Sequence, residues 1–188
     1  MPANPKSLRS MMGLVVKMSI TTKTGDRGLT GLFTGDRVAK FSPIMEANGT
    51  IDELDSFLGE AKHYVPGEMA ESLERIQAQL YDLMAEIASR GRYTKVDDGE
   101  IGWLEGLIHR YEEEVQLRVF VLPGSTLGSA KLDVCRAVTR RAERKVAKLV
   151  LDYGFGQNAL VYLNRLSDLL FIMARAIEKR EGKLKEVK

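Results

Sequence analysis

Apolar residues at alternating steps of three and four positions recur in five separate runs, and this spacing constrains the chain more than any other feature. The runs are Ile44, Ala47, Ile51, Leu54, Leu58, Ala61; Met69, Leu73, Ile76, Leu80, Leu83, Ile87; Ile101, Leu104, Ile108, Tyr111, Val115; Cys135, Val138, Ala142, Val146, Leu149; and Leu160, Leu163, Ser167, Leu170, Ala174, Ile177. At about 100° per residue each run becomes one stripe along a helix. Such stripes leave water by packing on one another, so the pattern predicts an all-α fold, a five-helix bundle. The first helix is expected to start at Ser42 as N-cap with Pro43 in its first turn. The second is expected over Glu68 to Ser89 and the third over Asp98 to Val115. The fourth follows a cap at Ser125 or Thr126 and breaks at Asp152-Tyr153-Gly154-Phe155-Gly156, and the fifth covers about Asn158 to Glu178.

Two stretches stand out against this scaffold. Arg136, Arg140 and Arg144 are spaced by four, which stacks three guanidiniums on one side of the fourth helix, with Glu143 beside them. Like charges repel, and each planar fork can grip two oxygens of a phosphate. The stripe reads either as an anion site or as a solvated basic face with internal Arg/Glu pairs. The second stretch, residues 21–37, has glycines at 25, 28, 31 and 35 among hydroxyls and bases. That glycine density excludes a helix and suits a phosphate cradle of backbone N–H groups and hydroxyls. It also suits a plain surface loop of β-turns. Neither a Walker A loop nor a Gly-x-Gly-x-x-Gly fingerprint is present.

Smaller signals surround these two. Gly49-Thr50 interrupts the first helix, where a glycine costs about 1 kcal/mol relative to alanine, and a close approach by a ligand or another backbone would explain it. Val119-Phe120-Val121-Leu122-Pro123-Gly124 is an extended apolar connector, read either as a buried link or as a wall beside the arginine helix. Asn164, Asp168, Phe171 and Arg175 form a second face of the last helix, and the short connection between the last two helices turns Asn164 and Asp168 toward the arginines.

With 28 Lys and Arg against 26 Asp and Glu, the net charge of +2 argues against a general nucleic-acid or membrane-surface binder, so any anion site is local. One cysteine, Cys135, excludes an intrachain disulfide, and a reducing, cytoplasmic setting fits best. No apolar run reaches the roughly 18 residues of a membrane span. His63 and His109 each lack a second ligand at i+4, so no metal-binding set is assigned. Residues 1–18 lack periodicity and are expected to be a disordered extension, with Met18 as the natural start. Residues 19–180 are expected to form the bundle domain, and 181–188 a charged, frayed tail.

Three blocks, in order, resemble the PduO-type ATP:cob(I)alamin adenosyltransferases. They are Thr22-Lys23-Thr24-Gly25-Asp26 through Arg37 and Lys40 into Glu46-Ala47-Asn48-Gly49-Thr50-Ile51-Asp52-Glu53-Leu54; Phe120 to Gly124 running into Arg136 and Arg140-Arg141-Ala142-Glu143-Arg144; and Tyr162-Leu163-Asn164-Arg165-Leu166-Ser167-Asp168. The resemblance implies a homotrimer with active sites between subunits, using Mg2+ with ATP as co-substrate and a reduced corrinoid (cobalamin) as substrate. It implies that Thr22, Lys23, Thr24, Gly25, Thr30, Gly31 and Lys40 wrap the triphosphate, and that Arg140, Arg141, Ala142, Glu143, Arg144 and Asn164 complete the ATP site. It also implies that Arg136 pairs with Asp52 across the interface and that Phe120 presses on the lower face of the corrin. A flavin-type reductase and an adenosylcobalamin-dependent enzyme would be the protein partners. A non-catalytic carrier or sensor of ATP and corrinoid is the competing expectation. Two positions depart from the family pattern: Asp133 stands where many relatives carry His, and Asp55 where many carry Asn.

Overall fold

The computed structural model describes residues 21–187. The expectations for residues 1–18, including the start at Met18, lie outside that range. Five α-helices follow a short hairpin of β1 (Leu29–Gly31) and β2 (Arg37–Ala39). The helices are α1 (Pro43–Ala61), α2 (Gly67–Ala88), α3 (Asp98–Val115), α4 (Leu127–Tyr153) and α5 (Gln157–Arg180). All five expected helices are present, within a few residues at each end. The hairpin is an addition to the all-α expectation, with Leu29 opposite Ala39 and Gly31 opposite Arg37. Three-residue strands carry too little alternation to be read from sequence.

Local chemistry sets the helix ends. Asp97 caps α3 by accepting the N–H groups of Gly99 (2.9 Å) and Glu100 (3.3 Å). Thr126, one of the two expected caps, closes a reciprocal box with Ser129: the Ser129 N–H reaches Thr126 Oγ1 at 3.1 Å and the Thr126 N–H reaches Ser129 Oγ at 3.0 Å. Ser42 does occupy the N-cap of α1, with Pro43 following, but its hydroxyl makes no cap bond and is buried without a partner. Gly154 ends α4 in the left-handed region at φ 74°, a conformation that favours glycine.

Each predicted apolar stripe lies in one continuous core, to which α4 and α5 contribute the most extensive helix pair, followed by α1 with α4. Charge pairs fix the directions. Glu46, Glu53 and Glu60 of α1 meet Lys145, Arg141 and Lys131 of α4, so the two helices run antiparallel. On the other side Arg165 and Arg180 of α5 meet Glu105 and Glu114 of α3, at 2.7 Å in both cases, so this pair runs parallel.

The expectation of a frayed tail is corrected as far as Val187: after Lys179 and Arg180, which bond to the end of α3, the chain pairs with the connector before α4. The Leu122 N–H donates to the Lys185 carbonyl at 2.9 Å and the Val187 N–H to the Phe120 carbonyl at 2.8 Å. Gly49 faces open space: among the described residues, its own helical turn aside, no atom lies within 4 Å of where a Cβ would sit, so of the two explanations the approach of another backbone is not seen there.

Gly128 is the glycine that packing demands. A Cβ there would lie 2.3 Å from the Tyr64 carbonyl oxygen, a backbone atom that cannot swing aside. Gly128→Ala is expected to lower stability by about 2 kcal/mol, in the range of overpacked cores, as measured by urea unfolding. Unchanged stability would mean that α4 does not approach the α1–α2 turn this closely.

Candidate functional site

The glycine-rich stretch folds as a turn followed by the hairpin. Gly25, Gly28 and Lys40 converge there: the Lys40 N–H donates to the Gly28 carbonyl at 2.9 Å, and the Lys40 side chain crosses so close over Gly25 that an added Cβ would meet Nζ at 3.0 Å. Thr22 and Thr24 share a hydroxyl contact of 3.0 Å, and Lys23 holds a positive φ of 56°. Arg37 Nη2 clamps the turn through the Thr24 carbonyl at 2.6 Å. Thr30 and Gly31 lie on β1. The structure therefore gathers all seven residues of the predicted cradle on one small platform, most of them exposed to solvent.

The arginine stripe divides in a way the spacing alone does not show. Arg141 is committed to Glu53 of α1, and Lys145 to Glu46. Arg140 and Arg144, about 100° round the helix, are exposed and meet no carboxylate among the described residues; Arg144 Nη1 donates to the Arg140 carbonyl at 2.9 Å. Glu143 accepts from Asn164 Nδ2 at 3.0 Å, and Asn164 Oδ1 accepts from Arg165 at 2.7 Å, so Asn164 does face the arginine helix as predicted. Asp168 is one turn further along α5. Partial burial raises its carboxyl pKa, opposed by Arg165 and reinforced by Glu143, with Arg140 also acting to lower it.

Ala142 is 0% exposed in the core, so its side chain spaces the flanking charges. Arg136 lies nearest Asp133, with Nε 3.6 Å from Oδ1, and makes no ion pair with Asp52 within the chain. Asp52 is an exposed carboxylate on α1. Asp55, the second departure from the family pattern, keeps Oδ1 buried without a partner.

Phe120 is 88% exposed, an unusual position for a large aromatic side chain. With Leu117, Arg118, Val119, Val121 and Phe171 it lines a cavity of about 460 Å³. A second cavity of about 450 Å³ shares Leu117 and Phe171 and ends on Asp168, Glu112 and Gln116. A concave apolar floor thus runs from Phe120 toward the α5 residues that face the arginines. Sequence reasoning placed Phe171 and Arg175 on one face of α5 but gave neither a role, and it missed the pairing of Arg175 with Asp133. A cation in the last apolar turns with an acid at i+3, Glu178, was the available signal.

Stacked guanidiniums without carboxylate partners, a glycine platform crossed by a lysine, and an apolar floor with an exposed aromatic define a bundle built to hold an anionic ligand beside a large flat one. The profile of a family described as cobalamin adenosyltransferase matches residues 20–177, and the chain belongs to that family. It is 39% identical over 180 residues to corrinoid adenosyltransferase MMAB of Mus musculus, covering 89% of this chain and 76% of that protein. It is also 39% identical over 174 residues to a corrinoid adenosyltransferase of Bacillus subtilis, covering 88% and 89%. Among solved structures, a variant of a PduO-type ATP:corrinoid adenosyltransferase from Lactobacillus reuteri, complexed with cobalamin and ATP, superposes with a TM-score of 0.85 at 31% identity, over 90% of this chain and 96% of that one.

Cys135 precedes Arg136 but points the other way, into the core, where burial pushes its thiol up to about 12. The native protein is therefore expected to react with an aromatic disulfide reagent at pH 8 at least about 100-fold more slowly than the denatured chain. Equal rates would place the thiol, and with it the whole seam of α4, in solvent.

Proposed function

We propose that this protein transfers the 5′-deoxyadenosyl group of ATP to the cobalt of a reduced corrinoid, giving adenosylcobalamin and triphosphate. The observation that carries this reading is the pair Arg140 and Arg144, exposed and without carboxylate partners among the described residues, on a helix where the neighbouring Arg141 and Lys145 are matched. Family membership supplies the substrate class. The cobalt(I) electron pair forms the bond to C5′ while the C5′–O bond breaks, and the electrons leave with the triphosphate. Cobalt is itself the nucleophile, so the protein needs no general base and no activated hydroxyl.

The residues then have distinct tasks. Thr22, Lys23, Thr24, Gly25, Thr30, Gly31 and Lys40 cradle the triphosphate, and Arg140 and Arg144 stabilise the charge that grows on it as the bond breaks. The Glu143–Asn164 pair orients the nucleotide beside them. We take Mg2+ to arrive on the phosphates, as suits a hard cation with oxygen ligands. Phe120 excludes water and a lower axial ligand from one face of the corrin, which makes cobalt easier to reduce. Within one chain no hydrogen bond or ion pair links residues 22–40 to Arg136, Arg140 or Arg144. This supports a homotrimer in which the hairpin of one subunit meets the arginine face of the next and Arg136 meets Asp52. The reductant is a flavin-type reductase and the recipient an adenosylcobalamin-dependent enzyme. No helix among the described residues is long and apolar enough to cross a membrane, and we place the protein in the cytoplasm.

Incubation with Mg-ATP and chemically reduced cobalamin tests the reading, with the corrinoid spectrum as readout. Conversion supports transfer, whereas binding of both ligands without conversion means a carrier. Arg140→Ala is expected to lower kcat by at least about 100-fold, the scale of losing a preorganised group at a developing charge, with its helical circular dichroism retained. Phe120→Ala is expected to slow conversion from cobalt(II) more than from pre-formed cobalt(I), and equal slowing would remove its assigned role.

A further inference from the structure

Among the described residues the most heavily buried charges lie near the end of α5, against the start of α4. Arg175 is 1% exposed and Glu178 0%, and the Asp133 side chain is also largely covered. Asp133 Oδ2 accepts from Arg175 Nη2 at 2.6 Å and from the Gly124 N–H at 3.0 Å. Arg175 also donates from Nη2 to Glu178 Oε1 at 3.1 Å, while its Nε lies 3.0 Å from Oε2 as an ion-pair contact without a hydrogen bond, and Glu178 Oε1 accepts the Ser125 N–H at 2.9 Å. Beneath this group the Arg175 guanidinium carbon lies 5.3 Å from the centre of the Phe171 ring. The second oxygen, Oδ1, is buried without a hydrogen bond, and Arg136 Nε, similarly orphaned, lies 3.6 Å away.

Apolar side chains of the same volume would close this end of the bundle at lower cost than three desolvated charges. What charges provide instead is direction, because each bond here has a fixed donor and acceptor. The bonds end on two consecutive backbone N–H groups, Gly124 and Ser125, directly after the segment that carries Phe120. They also end beside Arg136 and over Phe171, which shares its cavity with Phe120.

Building on the proposed function, we infer that Asp133 is a positioning residue: one carboxylate oxygen pins the Phe120 segment through Gly124 and Arg175 while the other faces Arg136, so that the aromatic on the corrin's lower face and the interface arginine share one rigid frame. Asp133 touches no substrate and acts through Phe120.

Two measurements on the full-length protein test this. Amide hydrogen exchange without ligands reads the frame itself: in Asp133→Ala the Gly124 N–H is expected to exchange about tenfold faster, with mid-α4 amides unchanged. The spectrum of cobalt(II) cobalamin bound with ATP reads the consequence: the fraction lacking a lower axial ligand is expected to fall at least about fivefold, while ATP affinity stays within about twofold. Asp133→Asn, which keeps an acceptor for Gly124, is expected to recover much of both. A merely structural role would weaken folding and ATP binding together and leave the cobalt spectrum of the folded fraction unchanged, and that result overturns the proposal. Should Asp133→Ala not fold, Asp133→Leu, which keeps the branched shape but offers no acceptor to the Gly124 N–H, decides: wild-type exchange at Gly124 and a wild-type cobalt spectrum together in that variant would overturn it. If the wild type binds no corrinoid at all, the functional reading fails separately, and exchange at Gly124 still shows whether Asp133 holds the segment.

Discussion

Burial of the seam Cys135, Val138, Ala142, Val146 and Leu149 orients everything charged on α4. Five apolar positions removed from water contribute several kcal/mol, while exposed ion pairs contribute about 0 to 1 kcal/mol each. The seam therefore sets the rotation of the helix, and the charges take the directions that remain. Arg141, Lys145 and Lys131 fall toward the carboxylates of α1 and are matched there. Arg140 and Arg144 fall one step further round and are left unmatched. A single rotation thus yields a paired face and an exposed, unpaired one from neighbouring residues of the same type.

The same division runs through the rest of the molecule. The glycine turn and Lys40 form a complete platform at one end of the chain, and the arginines with Glu143 and Asn164 form another, with no bond between the two inside a subunit. Phe120 sits on a strand-like connector held from both sides: by the C-terminal segment through the Leu122 and Val187 N–H bonds, and by Asp133 and Glu178 through Gly124 and Ser125. An aromatic side chain left 88% exposed needs such a mount if it is to press on a flat substrate.

Periodic elements were the most legible in the sequence. Stripes of three and four residues gave five helices with nearly correct ends, because burial of one face is written into every turn. The hairpin is not legible as strands, since three residues cannot display a period of two. The charged composition of the tail suggests fraying, yet it is held by backbone bonds, which do not depend on side-chain type. Within the site, Arg140 and Arg141 look alike in one dimension, and only the position of Glu53 separates their roles. Ala142 is core, as its place in the apolar seam predicts. The place of Asp133 with Arg175 and Glu178 was not legible because Asp133 and Arg175 are 42 residues apart along the chain, and no local rule couples α4 to the end of α5.

We propose that two half-sites from different subunits make one active centre, and subunit complementation tests this most directly. Lys40→Ala and Arg140→Ala proteins, each inactive alone, would be unfolded together in equal amounts, refolded as mixed trimers and assayed with Mg-ATP and reduced cobalamin. Random assembly makes about one interface in four from an intact hairpin and an intact arginine face, so the account predicts recovery of about a quarter of wild-type activity. No recovery, with mixed trimers present, would mean that hairpin and arginines serve the same site within a single chain, and would contradict it.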